Sequence, residues 1–114
     1  MLARKNLIDL KKEFPRIRGT GKTYDSPSFG LIVSFGKNSV AQASFIVNKK
    51  VSRSSVDRHD VKRKLADAVS PFLSQLSKNT ELVFLARQKA VESTRDEITA
   101  EVKEVLRRAR LVPS

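Results

Sequence analysis

A chain of 114 residues has room for one compact domain, residues 1–114, with a single core and no second unit. Its 39% hydrophobic and 31% charged residues, with four Gly and four Pro, exclude collagen-like and disordered classes, and the absence of Cys excludes disulfides and thiolate metal sites. A net charge of +11 is costly in self-repulsion for so small a domain unless a polyanion is the working partner.

In chain order, Leu7, Leu10, Phe14 and Ile17 recur at helical spacing. Pro15 is best tolerated in a first turn, so the main helix is expected to start near Lys12–Glu13, with Gly19 and Gly21 ending it. Residues 24–28, Tyr-Asp-Ser-Pro-Ser, read as a loop. Residues 29–35 alternate cleanly. Phe29, Leu31, Val33 and Phe35 share one face, and Gly30, Ile32 and Ser34 take the other. After a turn over 36–39, residues 43–48 form a second strand, with a further strand considered at 37–42. On the second strand Ala43, Phe45 and Val47 oppose Ser44, Ile46 and Asn48. An antiparallel arrangement with one covered and one open face follows.

Ser54 or Ser55 caps a helix over about 56–76, striped by Val61, Leu65, Val69, Phe72, Leu73 and Leu76. Pro71 predicts a kink or break near Val69–Ser70. Residues 82–86 are a short buried strand. A capping box, Thr94-x-x-Glu97, opens the last helix, which buries Ile98, Val102, Val105, Leu106 and Ala109. The order α-β-β-α-β-α gives an α+β fold, a two-layer α/β sandwich with a small mixed sheet and one open face. Phe29, Phe35, Phe45, Phe72 and Phe84 are expected in the core. Phe14 is balanced between core and stacking, and Tyr24 is a weaker stacking candidate.

The charge is unevenly placed. Residues 1–64 carry 15 basic and 5 acidic side chains, whereas residues 65–114 carry 8 and 7. This clustering points to nucleic acid or another polyphosphate. A membrane partner is not expected, since no apolar run reaches the roughly 18–20 residues of a span and the basic N-terminus lacks the apolar stretch of a secretory signal. The densest basic cluster joins Lys49, Lys50 and Arg53, at the strand end, to Arg58, His59, Lys62 and Arg63 on the helix that follows. At 100° per residue His59, Lys62 and Arg63 fan over one flank, and Arg58 projects from the first turn. Together they suit RNA phosphates. Asp60–Lys64 and Arg63–Asp67 have the spacing of ordinary helical ion pairs. The scattered carboxylates form no pair suited to metal-assisted phosphoryl transfer, and a lone His among Arg and Lys suits RNA contact better than acid–base catalysis.

The run Phe45-Ile46-Val47-Asn48-Lys49-Lys50-Val51-Ser52, followed by Ser55-Val56-x-Arg58-x-x-Val61-Lys62-Arg63-x-Leu65, resembles the bacterial ribonuclease P protein component. So do Glu13-Phe14-x-x-Ile17, Ser26-Pro27-x-Phe29-x-Leu31 and residues 82–87. Where that family usually has Asn, Arg and an Arg-Glu pair on the signature helix, this chain has His59, Asp60 and Ala66-Asp67. Arg18 replaces a second aromatic of the first helix. The resemblance implies a cytoplasmic ribonucleoprotein endonuclease whose RNA subunit performs Mg²⁺-dependent hydrolysis, so no catalytic residue is expected in the protein. The protein would bind the ribonuclease P RNA through Lys49, Lys50, Arg53, Arg58, His59, Lys62 and Arg63. It would bind the 5′ leader of precursor tRNA in a cleft involving Phe14, Arg18, Gly30, Ile32, Ser34, Ile46 and Asn48. No metal ligands are assigned and no obligatory protein partner is evident. The alternative is a stand-alone or ribosomal-type RNA-binding protein, and an independent protein nuclease lacks a catalytic cluster.

Overall fold

The computed structural model describes residues 2–112, so Met1, Pro113 and Ser114, the ends of the expected 1–114 domain, lie outside the described residues. A single turn of 3₁₀ helix, Arg4–Asn6, leads to α1 (Leu10–Thr20). The strands are β1 (Lys22–Asp25), β2 (Phe29–Phe35), β3 (Gln42–Ile46) and β4 (Thr80–Ala86). Helix α2 (Ser55–Leu73) connects β3 to β4, and α3 (Lys89–Glu92) and α4 (Arg95–Arg108) follow. The sheet order is β1-β2-β4-β3. The β1–β2 and β2–β4 pairs are antiparallel, while β3 runs parallel to β4 through the α2 crossover. The expected mixed sheet and α+β class are what the chain adopts.

The main core lies between the sheet and α2 and α4. Phe29, Leu31, Val33, Phe45, Leu82 and Phe84 meet Val61, Leu65 and Val69 of α2 and Ile98, Val102, Val105 and Leu106 of α4. Phe84 sits edge-on to Phe29, with centroids 5.2 Å apart, and stacks on Phe45 at 5.4 Å. The Thr94–Glu97 capping box forms as expected.

Several boundaries differ from the sequence reading. Helix α1 begins at Leu10 because Asp9 caps it, accepting from Lys12 N–H and, through its carbonyl, from Glu13 N–H at 2.9 Å. Pro15 therefore lies inside the helix, as does Gly19. Leu7, expected on the helical stripe, precedes the helix and bridges to Ala43. Gly21 is the C-cap and must be small: a Cβ there would lie 2.4 Å from Ile32 Cγ2. Residues 22–25, which carry no apolar alternation, become an edge strand by pairing with β2, so Tyr24 is a strand residue. Strand β3 begins at Gln42 and stops at Ile46, and residues 37–41 form no strand. Helix α2 runs through Pro71 without a break, ending within a turn of it, where one lost hydrogen bond matters least. Helix α3 was not foreseen. Phe35 is 60% exposed at the sheet end, and Phe72 is half-buried at the core rim; neither is a core residue.

The second sheet face is only partly open, because α1 lies across it. Fully buried Ile17 packs with Ile8, Ile32 and Val83, with Leu10, Phe14, Ile46 and Leu85 around them. Polar contacts complete the docking. Arg16 Nη2 donates to Glu81 Oε2 at 2.8 Å and Oε1 at 3.0 Å, and Thr20 Oγ1 lies 3.4 Å from Ser34 Oγ. Glu81 is 1% exposed, and the carboxylate in turn raises the Arg16 pKa through that hydrogen bond.

Candidate nucleic-acid interface

The strand-to-helix corner is built by its own polar groups. Asn48 Oδ1 accepts from Lys50 N–H at 3.0 Å, Val51 N–H returns to the Asn48 carbonyl at 3.0 Å, and the Val51 side chain is buried as an anchor. This tight turn leaves Lys49 and Lys50 pointing into solvent. Ser52 Oγ donates to Asp57 at 3.1 Å, and Ser54 caps α2 by accepting from Asp57 N–H. Arg58 is half-buried, because its Nη1 donates to the Ser52 carbonyl at 2.9 Å and the Arg53 carbonyl at 3.0 Å. It thus holds the loop that displays Arg53. From the far side, Gln88 Nε2 donates to the Lys50 carbonyl at 3.0 Å.

Lys49, Lys50, Val51, Ser52, Arg53 and Gln88 line an open depression of about 820 Å³. A second, of about 580 Å³, is lined by Ser55, Val56, Asp57, His59, Asp60 and Arg63. His59, Lys62 and Arg63 are all exposed on α2. Among the described residues, none of Lys49, Lys50, Arg53, Arg58, Lys62 and Arg63 is in an ion pair. The expected Asp60–Lys64 pair forms at 3.5 Å. Asp67 pairs with Arg95 rather than with Arg63. Charges free of carboxylate partners remain available to phosphates.

Lys64, read from sequence as a surface charge, is instead 6% exposed. Its Nζ donates to the carbonyls of Ser93 at 2.8 Å, Ala90 at 2.9 Å and Val91 at 3.2 Å. It pins the short α3 segment, and with it Gln88, against α2. Sequence reasoning missed Gln88 and Lys64, since nothing local in either marks a contact 38 or 26 residues away.

A shallow trough lies where α1 leaves the sheet uncovered. Its accessible lining is half-buried Phe14, Ile46, Leu85 and Ser44, with exposed Arg18 one helical turn beyond Phe14. Asn48 is exposed where the chain leaves β3. Gly30, Ile32 and Ser34 are buried: Ile32 beneath α1, Ser34 beside Thr20, and Gly30 close to the Arg87 guanidinium. Leu85 was hidden within an apolar run that reads as core, although its two-residue spacing from Val83 places it on this face.

The carboxylates are largely committed to structure. Glu81 holds Arg16. Glu101 accepts from Ser26 Oγ at 2.6 Å, Ser28 N–H at 2.8 Å and Ser28 Oγ at 2.6 Å. Asp25 pairs with Arg87, and Glu104 with Arg107. Among the described residues no group of three or more His, Asp or Glu side chains converges, so this donor set does not fit a metal site made by the protein alone.

The sequence matches the family described as Ribonuclease P over residues 2–110. The chain belongs to the ribonuclease P protein family. The ribonuclease P protein component of Clostridium novyi is 35% identical over 101 residues, spanning 87% of this chain and 88% of that one. That of a Pseudanabaena species is 26% identical over 113 residues, spanning 98% and 97%. Among solved structures, an RNase P protein from Staphylococcus aureus superposes with a TM-score of 0.83 at 22% identity, covering 95% of this chain and 98% of the other. That from Thermotoga maritima gives 0.78 at 16% identity, covering 94% and 97%. At those identities the structures establish the fold, and the family match establishes the role. The chain is thus the protein subunit of a ribonucleoprotein endoribonuclease that matures tRNA 5′ ends, with the chemistry carried by ribonuclease P RNA. The stand-alone and ribosomal-type alternative is not favoured.

Proposed function

We propose that this chain, as one RNA-binding domain over residues 1–114, uses two surfaces in the cytoplasmic holoenzyme. The basic corner of Lys49, Lys50, Arg53, Lys62 and Arg63, with His59 beside it and Arg58 bracing it, binds the catalytic RNA. The trough between α1 and β3, with Phe14, Arg18, Ile46 and Asn48, takes the single-stranded 5′ leader of precursor tRNA, whereas Gly30, Ile32 and Ser34, buried on β2, do not contact it. The observation that carries the reading is the set of cations at the corner that are in no ion pair among the described residues. Five exposed cations releasing counterions make binding steeply salt-dependent. A half-buried ring such as Phe14 can stack a base at about 1–3 kcal/mol. Hydrolysis depends on Mg²⁺ held with the RNA subunit. The protein's part is to lower the Mg²⁺ requirement by neutralising phosphate charge and tethering the substrate. Among the described residues no helix is long and apolar enough to cross a membrane, and a membrane has no part in this reading.

The test is reconstitution with a bacterial ribonuclease P RNA, measuring precursor-tRNA cleavage at limiting Mg²⁺. Added protein is expected to stimulate cleavage and to have no activity without the RNA. No stimulation, or cleavage by protein alone, refutes the proposal.

A further inference from the structure

The chain holds a single histidine, and it stands within the basic corner. His59 lies in the second turn of α2, exposed, beside the depression of about 580 Å³ that it shares with Ser55, Val56, Asp57, Asp60 and Arg63. Lys62 follows three positions on, where the helix brings it alongside. The imidazole takes part in no hydrogen bond or ion pair among the described residues. Nothing within the fold engages either ring nitrogen.

The charged groups around it are few. Every residue lining the depression belongs to α2, so β3, α3 and α4, which pack against other faces of the helix, bring no titratable group to it. Arg63 is exposed and in no ion pair among the described residues. Asp57 accepts from Ser52 Oγ at 3.1 Å, and Asp60 pairs with Lys64 at 3.5 Å. Those charges are in place whether or not RNA is bound. Binding changes one thing: a phosphate backbone arrives along Lys62 and Arg63. A polyanion against an imidazole favours the protonated ring, in which both nitrogens donate.

We propose that His59 is a proton-dependent ligand of the catalytic RNA: it takes up a proton from solvent as the RNA binds, and the imidazolium donates to a phosphate beside Lys62 and Arg63. The inference rests on the corner reading above and deepens it. Imidazole is the side chain that ordinarily changes charge between pH 5 and 8, so the corner gains a cation across that window. Because bound RNA favours the charged ring, the extra affinity is fully present at acid pH. It is lost as pH rises through the titration of the bound imidazole.

The test measures binding of the full chain to a bacterial ribonuclease P RNA between pH 5.5 and 8, at fixed Mg²⁺ and salt. The parent is expected to bind about fivefold tighter at pH 5.5 than at pH 8, the upper range for one exposed ion pair, along a single-proton curve. His59→Gln stays neutral and should hold the parent's pH 8 affinity throughout. His59→Lys stays charged and should hold the parent's pH 5.5 affinity throughout. The parent's salt slope should steepen by about 0.9 from pH 8 to pH 5.5, one more phosphate on duplex-like RNA, and neither variant should show that change. Because the ring is exposed, thermal unfolding of both variants should match the parent. A parent affinity that is flat with pH overturns the inference. So does a pH dependence that persists in His59→Gln, which would assign the proton to the RNA or to the terminal amine that all the proteins share. In either case the corner stands on its salt dependence. If the parent shows no salt slope at any pH, the corner reading and this inference fail together.

Discussion

Replacing Lys64 by Met removes an ammonium group while keeping a side chain of similar length. Three charge-assisted hydrogen bonds, at 2.8, 2.9 and 3.2 Å, are lost together, and the carbonyls of Ala90, Val91 and Ser93 are left in an enclosed site. A hydrogen bond to a charged group contributes about 1.5–3 kcal/mol net, and three sharing one donor do not add fully. The gain from relieving burial of the ammonium offsets part of the loss. The net destabilisation expected is about 3 kcal/mol. For a domain of this size that lowers Tm by roughly 10 °C. Thermal unfolding followed by circular dichroism reads the shift, with Lys62→Met, exposed on the same helix, as a control expected to stay within about 0.5 kcal/mol. Amide exchange should quicken across residues 88–93, and because Gln88 braces the Lys50 carbonyl, affinity for the catalytic RNA should fall as well. A Lys64→Met protein as stable as its parent, with unchanged exchange in α3, would refute the argument that this lysine holds the segment.

Other expectations follow from single contacts. Gly36→Ala would place a Cβ 2.8 Å from Glu81 Oε2, displacing a carboxylate that is fully committed to Arg16, and should cost about 1–3 kcal/mol in denaturant unfolding. Gly19→Ala, with nothing within 4 Å and a place inside α1, should instead stabilise by about 0.5–1 kcal/mol. Arg58→Ala frees the Ser52 and Arg53 carbonyls, so amide exchange over 52–54 should rise and catalytic-RNA affinity should fall about tenfold. The Glu97 carboxyl is held below the usual glutamate range, first by the hydrogen bond from Thr94 N–H and then by the Thr94 side chain. A depressed folded-state pKa stabilises the fold above the unfolded value and loses that contribution as pH falls through the folded value. Acid titration of α4 stability should therefore be shallower in Glu97→Gln than in the parent, and identical slopes would count against the capping box.

Legibility followed the range of the interactions. The Thr94 capping box and the β2 alternation are local patterns, and both appear where the sequence places them. The corner from Lys49 to Arg63 was legible because β3 and α2 are joined by a short connection. Strand β1 was not, since Lys-Thr-Tyr-Asp becomes a strand only by borrowing the β2 edge. The covering of the second sheet face was also hidden. Alternation showed a face of Gly30, Ile32 and Ser34, but not that Ile17 and the Arg16–Glu81 pair would lay α1 over it. Phe35 illustrates the limit of periodicity, which assigns a face without saying where the opposing layer ends. The same holds for Lys64: its helical neighbours suggest a surface pair with Asp60, while three distant carbonyls decide its burial.

The central claim is that unneutralised cations at the strand-to-helix corner grip the catalytic RNA. The direct measurement is the salt dependence of binding to ribonuclease P RNA for the parent chain, for Lys49, Lys50, Lys62 and Arg63 changed together to Ala, and for Lys103 and Arg107 of α4 changed likewise. The account predicts a large loss of affinity and a salt slope shallower by roughly three to four for the corner variant on duplex-like RNA, with little change for the α4 variant. Equal losses from the two sets, or a corner variant that binds as the parent does, would contradict it.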